Sequence, residues 1–466
     1  MTTIRPAHSD FARRCGLALA LLLLARADTS GAEVLQVEPP ASDGVVHESK
    51  ERPDLLDENS PRGLRVVQIS TDPGMISHHL YPESPMFTPD SKRFLFHRMP
   101  IEEGKLGSFW VCDIDDDFAL REIIDERGAS RPSVSPDGEW AYYCLFDSAK
   151  RAVQWKRVSL GTFQRETLAE IGGILPGCQR ELRSAGGLTS MSSDGKRICT
   201  VAQPHTESPG KRRYAILVFD VEKRAAHVAF EGNHEFLNMH LQYCRSTDPV
   251  LSHDILVQHN HGAVQDEKGQ LVKLTGGEGA DLHVIRDDGT HWRDVPVGRD
   301  GTAFCTGHQQ WRGRMPSVVS SMSVRGDVRR HRLHEAMPVA TDETTSHKGC
   351  TIPGTAYNDL TREAPETNFS HFCMDASGMH LAARHDRCAD NPDVKVYLGS
   401  CTPGENAVLK VQYLVGTGWR DLAKGWHRGQ SNKPRPIIAP DASVVLFHTD
   451  RDGKSEIFLV DGYTLP

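Results

Sequence analysis

The stretch VSPDGEWAYYCLF, from Val134 to Phe146, holds a short strand, a tight turn and a longer apolar strand. Asp137 and Gly138 suit the turn geometry, because Asp bonds its own backbone two residues on and Gly tolerates positive φ. The same unit recurs on both sides, as FTPDSKRFLFHR (Phe87–Arg98), MSSDGKRICTVA (Met191–Ala202), CMDASGMHLAARH (Cys373–His385) and IAPDASVVLFHTDRDGKSEIFLVD (Ile438–Asp461). Some copies run on into a third strand, such as SFWVCDID (Ser108–Asp115) and YAILVFDVE (Tyr214–Glu222). Two weaker copies fill the middle, HLQYCRSTDPVLSHDILVQH (His240–His259) and HQQWRGRMPSVVSSMS (His308–Ser323). Seven units over about 400 residues is roughly 57 residues each, slightly above the ~40–50 of common propeller blades. Short antiparallel strands repeated in this way close radially, which removes unprotected edges. The expectation is an all-β fold, a seven-bladed β-propeller, preferred over a pair of β-sandwiches or a β-helix. Val66–Ser70 (VVQIS) is placed to supply an outer strand that closes the ring.

The composition agrees with a globular chain. The 466 residues carry 54 Lys+Arg against 62 Asp+Glu, a formal charge of -8, which argues against a non-specific nucleic-acid binder. Arg13 and Arg14 precede an apolar run, Leu17–Ala25, followed by small and polar residues to Ala32. That is the pattern of a signal peptide and too short to span a bilayer. Residues 1–32 are therefore expected to direct export, to a periplasm or the exterior. Residues 33–64 form an extended leader and 65–466 the propeller. No CxxC pair occurs among the 11 cysteines, which weakens the case for a structural zinc site. Cys112, Cys144 and Cys199 read as buried thiols; Cys350, Cys388 and Cys401 lie in loop-like sequence where a disulfide can form.

Propeller sites form where the innermost strands begin. Six places before the turn Asp stand Ser84 (Asp90), Arg131 (Asp137) and Arg435 (Asp441), and His371 has the same offset from Ser377. His240 and His308 register through the spacing to Tyr243 and Trp311, which His371 to Met374 matches. Arg131, His240, His308, His371 and Arg435 thus share one position in five blades. Clustered positive charge is costly when desolvated, so an anionic ligand, a metal ion, or both would account for it. The competing reading is a wet channel mouth holding polar residues by default. His78, His79 and Tyr81 precede the first inner strand, and His259 and His261 flank Asn260. HExxH, GxSxG and Walker patterns are absent, and the turn aspartates read as structural.

NMHLQYCRSTDP (Asn238–Pro249), TGHQQW (Thr306–Trp311), TNFSHFCMDASG (Thr367–Gly378) and HHLYPESPMFTPDSKRFLF (His78–Phe96) resemble the oligogalacturonate lyase family, seven-bladed propellers related to TolB-like domains. Ulvan lyases and rhamnose–glucuronate lyases, which also use seven-bladed propellers, resemble it more distantly and stay open as competing readings. The resemblance implies β-elimination on a uronate-containing oligosaccharide or polysaccharide, with His240 as the base and His308 as a manganese ligand. It further implies Asn368, His371 and Cys373 as the remaining ligands, where the family has Gln, His and His. A thiolate at Cys373 would favour Zn²⁺ over Mn²⁺; Ca²⁺ or loss of the ion are the other outcomes.

In such a reaction the uronate carboxylate must be neutralised before the adjacent proton can be removed. Arg131 and Arg435 suit that carboxylate as bidentate clamps, with His259 a further substrate contact. The leaving oxygen is protonated by Tyr81, His79 or water. Two other classes stay open: a non-catalytic TolB-like propeller binding a glycan or protein partner in the cell envelope, and a glycoside hydrolase with paired carboxylates.

Overall fold

The turn motifs fold as their chemistry requires. Thr88 Oγ1 donates to Asp90 Oδ1 at 2.6 Å, and the Lys92 amide donates to the same oxygen at 3.1 Å. Ser135 and Glu139 N bond Asp137 Oδ1 at 2.5 and 2.9 Å, and Ser192 and Lys196 N bond Asp194 Oδ1 at 2.5 and 3.0 Å. In the DASG copy the partners exchange places. Ser377 Oγ donates to Asp375 Oδ2 at 2.5 Å, while Ser377 Oγ and Asp375 Oδ1 receive the amides of Met379 and His380. Ser377 therefore sits at the turn-Asp position, which keeps His371 in register with Arg131. Asp137→Ala removes both bonds from an exposed turn. It is expected to cost roughly 1–2 kcal/mol, read as a lower denaturation midpoint with the fold unchanged.

The computed structural model describes residues 36–102, 104–207, 212–276, 279–297, 303–324, 331–340, 357–387, 393–404, 406–419 and 433–466. The chain separates into Met1–Gln36, of which only Gln36 is described, and Val37–Pro466. The expected signal segment, Cys350, Cys388 and most of the insertion between the fifth and sixth blades lie outside the described residues.

Val37–Pro466 is a seven-bladed β-propeller. Blade 1 is Met75–His79, Arg93–Pro100, Ser108–Asp113 and Ala119–Ile124; blade 2 starts at Ser133–Val134, blade 3 at Leu182–Met191 and blade 4 at Gln242–Tyr243. Blades 5, 6 and 7 start at Ala303–Trp311, Phe369–Met374 and Ile437–Ile438. The strand ladders among the described residues are antiparallel and mostly join consecutive strands. In blade 4, however, Asp254–His259 pairs with Asp281–Arg286 past a two-stranded hairpin, and Arg293–Asp294 pairs with Val339–Ala340 from beyond blade 5's first strands. Blade 7 is built from both ends of the chain. There Arg65–Gln68 pairs with Glu456–Asp461, Val66 opposite Val460. Both ends of the propeller thus share one sheet, and this closes the ring.

The described part of the leader packs on the blades. Val46 bridges Leu120 on blade 1, and Lys50–Glu51 adds a further strand beside Arg65–Gln68. Leu55 is buried, and the buried Arg52 bonds Gln68, Asp54 and Asp452. An apolar residue and a paired cation inside a polar-looking segment are what hold it against the blades.

Apolar side chains of successive sheets interlock between the blades, as where Trp155 of blade 2 stacks on Phe219 of blade 3 at 4.8 Å. Among the described residues Cys112, Cys144, Cys178, Cys199, Cys244, Cys305, Cys373 and Cys401 are buried free thiols. Cys401, expected in a loop, ends a strand of blade 6.

The inner strands are irregular at one end. In blade 1 the pairing passes from His79↔Phe96 to Phe87↔Phe94, so 80–86 leave the ladder. Register shifts fall between Gly186 and Thr189 in blade 3, Cys305 and Gln309 in blade 5, and Phe369 and His371 in blade 6. In blades 2, 4 and 7 the inner strand begins just after Arg131, His240 and Arg435. Bulges re-aim side chains that a regular strand would bury between blades, and here they do so at one end of the ring.

Candidate functional site

That end encloses a cleft of about 790 Å³, whose walls include His79, Tyr81, Arg131, His240, His308 and Arg435. Blade 1 contributes Tyr81 and Glu83 from the segment that leaves the ladder. Glu83 is buried, and its Oε2 accepts from His240 Nδ1 at 2.5 Å. A carboxylate can only accept, so Nδ1 carries the proton when the ring is neutral and Nε2 holds the lone pair. His240 itself has φ +46°, a left-handed backbone that a non-glycine residue adopts only when its surroundings impose it.

Tyr81 lies 5.0 Å from His240, ring to ring, and the Arg435 guanidinium sits 4.8 Å from the Tyr81 ring centroid. Burial, then the charge of Glu83, hold the Tyr81 hydroxyl well above its usual range, so it stays protonated and able to donate. Burial, then like charge from Arg384 and Arg131, push Arg435 down to about 10. Burial lowers Arg131 too; it is exposed into the cleft yet crowded by protein on its other sides. Burial pushes the Glu83 carboxyl up, opposed by His240, Arg435 and Arg131.

His308 and His371 come together, their ring centroids 3.7 Å apart, and His371 Nε2 is buried without a hydrogen-bond partner. Burial holds both rings well below the ordinary imidazole range. The other two residues implied as ligands do not join them. Asn368 Oδ1 accepts from His331 N at 2.8 Å and meets His331 Nδ1 at 3.0 Å. Cys373 Sγ is 3.9 Å from Gln310 Nε2, in the apolar core with Ile437 and Ile438. One inner-strand residue spans about 3.3 Å, so two positions past His371 the side chain has left the mouth for the packed interior. Two imidazoles fit an ion there; the four-donor set does not assemble.

His79 lines the cleft but has both nitrogens engaged. Nδ1 donates to Leu80 O at 2.7 Å, and Nε2 therefore accepts from His448 Nδ1 at 2.9 Å. It holds the wall and is poorly disposed to take a substrate proton. Burial first pushes His79 and His97 to about 4 each, with Arg435 adding for the former and Arg131 for the latter. The unfolded chain binds protons at these rings below about pH 6.5, the folded chain only near 4, so acidification favours unfolding across that window. Stability is expected to fall by up to ~1.4 kcal/mol per pH unit for each ring, measured as urea midpoints from pH 7 to pH 4.5.

His259 corrects an expectation. It is 1% exposed and faces away from the cleft, while its neighbours Gln258 and Asn260 line it. The cause is strand alternation: successive side chains point to opposite faces. His259 stacks on Phe236 at 4.2 Å and meets His283 across the strand pair. Three residues were missed. Glu83 and Arg384 are buried charges beside the inner strands, and His331 bonds Asn368. The only sequence signal for Glu83 was a carboxylate inside the YPESP segment. Arg384 lies on a second strand, bonding Ser370 Oγ at 3.1 Å and Asp386 Oδ1 at 2.7 Å.

No family model matches the chain, and no curated protein does. Among solved structures it is similar to an oligogalacturonate lyase in complex with manganese, at TM-score 0.62 and 15% identity, covering 93% of this chain and 98% of that one. An oligogalacturonate lyase from Vibrio parahaemolyticus is as similar, at TM-score 0.62 and 14% identity, covering 91% and 98%. At these identities the likeness is one of fold: the chain shares the seven-bladed propeller of these lyases over nearly its whole described length.

Proposed function

We propose that the cleft binds a uronate-containing oligosaccharide or polysaccharide and cleaves it by β-elimination. The observation that carries this reading is the His240–Glu83 pair at 2.5 Å beside Tyr81 and Arg435. Arg435 and Arg131 neutralise the uronate carboxylate and stabilise the enolate-like charge that develops when the adjacent proton leaves. His240 Nε2 takes that proton, with Glu83 stabilising the imidazolium that forms. The bond from the neighbouring carbon to the glycosidic oxygen breaks, and that oxygen receives a proton from Tyr81. The products are a new chain end and an unsaturated uronyl end. The arginines take the part that the family resemblance assigns to manganese. Secretion or a periplasmic location, proposed from the amino-terminal pattern, suits such a substrate.

The test is to incubate the protein with oligogalacturonate, polygalacturonate and glucuronate-containing polymers and follow the ultraviolet absorbance of the unsaturated end. A signal that grows as the chains shorten supports the reading. Sugar binding without turnover, or new reducing ends without unsaturation, overturns it in favour of a binding propeller or a hydrolase.

A further inference from the structure

The pair that His259 forms with His283, behind the cleft wall, has its own chemistry. His259 ends the strand Asp254–His259, and His283 and Asp281 lie on the paired strand Asp281–Arg286, with His259 opposite Asp281. One donor atom from each of the three lies within 4.8 Å of the others, and all three residues are buried. His259 Nδ1 and His283 Nε2 are 3.2 Å apart. Two nitrogens each about 2.1 Å from a tetrahedral ion are separated by about 3.4 Å.

The outer nitrogens decide between an ion and a simple hydrogen bond. His283 Nδ1 faces Asp294 Oδ1 at 2.5 Å, and His259 Nε2 faces Glu235 Oε2 at 3.4 Å. Asp294 accepts, so the proton of a neutral His283 is on Nδ1 and Nε2 presents a lone pair. If a neutral His259 donates to Glu235, its Nδ1 lone pair meets that lone pair at 3.2 Å. If it donates to His283, its Nε2 lone pair meets the carboxylate. A doubly protonated His259 satisfies both only by burying a charge in a ring 1% exposed. A cation between the two inner nitrogens satisfies these three contacts together. Each imidazole then binds the ion on one side and donates to a carboxylate on the other, the arrangement usual for metal-bound histidine.

We propose that His259, His283 and Asp281 bind a divalent first-row transition metal ion, with Zn²⁺ the best match to two imidazoles and a carboxylate in a compact site. Glu235 and Asp294 orient the two rings. The ion ties the second and third strands of blade 4 beside the cleft wall, which Asn260 and Ala280 help to line. It is separate from the His308–His371 pair and independent of the lyase reading.

The test uses the full chain stripped with chelator and titrated with Co²⁺, whose visible absorption reports low-coordinate nitrogen and oxygen ligation, and then with Zn²⁺. One tightly bound equivalent is expected, with a raised thermal midpoint. Asp281→Asn should abolish the Co²⁺ bands, and Asp294→Asn should weaken binding roughly 10–100-fold. The double variant His308→Ala/His371→Ala should retain both bands and stoichiometry. No saturable binding to the wild-type chain overturns the proposal. So does binding that survives Asp281→Asn but is lost in the His308/His371 variant, since the ion then sits at the cleft. Loss of uronate cleavage plays no part in the readout.

Discussion

Replacing His240 by asparagine is expected to lower kcat on a uronate substrate by about 10²–10⁴, the range for removing a general base, while leaving the fold intact. Asparagine is among the residues that tolerate a left-handed backbone, and position 240 has φ +46°. The variant therefore removes the imidazole without adding backbone strain. Glu83→Gln isolates the partner. An amide in place of the carboxylate can donate to Nδ1 and so reverse the tautomer, turning the Nε2 lone pair away from the substrate. A comparable loss in kcat is expected, about 10⁴-fold at most by analogy with the carboxylate of a catalytic triad. KM should change little, the pH–rate profile should shift, and imidazole nitrogen NMR should show the proton moved to Nε2. A full-activity Glu83→Gln variant would leave His240 without its orienting group and the base assignment without support.

Replacing Arg435 by alanine is expected to reduce kcat/KM about 10²–10³-fold, the scale of losing a donor aimed at developing negative charge. Lysine should not rescue it fully, since an ammonium lacks the delocalised guanidinium that sits 4.8 Å from the Tyr81 ring centroid and the forked contact to a carboxylate. The thermal midpoint should not fall with the activity. Burial and like charge from Arg384 and Arg131 already disfavour the charged form of Arg435, so its removal relieves a cost of the folded state. A loss of activity together with a large loss of stability would instead mark Arg435 as a structural residue. Enzyme assays on uronate oligomers paired with thermal denaturation separate the two outcomes.

Much of the site was legible before the fold because the repeat carries its own ruler. The turn places a bonded Asp or its Ser377 equivalent at one point of each blade, and six residues earlier the chain meets the mouth of the ring. Arg131, Arg435 and His371 follow from that spacing, while His240 and His308 follow from the aromatic residues that register the weaker copies. His259 misled because one residue along a strand reverses the face, and proximity in sequence to Asn260 carries no information about direction. Cys373 and Asn368 misled for a related reason. A family spacing transfers only if the side chains reach the same space, and here one is packed in the core while His331, from another strand, takes the oxygen of the other.

The sequence alone thus determined the architecture and which inner-strand positions share a register from blade to blade, because turn chemistry and strand alternation are local and repeat with the blades. Tertiary structure decided which of those residues act together. The Glu83–His240 bond joins positions 157 residues apart, the Tyr81–Arg435 cation–ring contact joins the first blade to the last, and the His259–His283 pair forms across a strand ladder. Such contacts depend on where bulges turn side chains after the ring has closed, and closure is a property of the whole chain rather than of any segment in it.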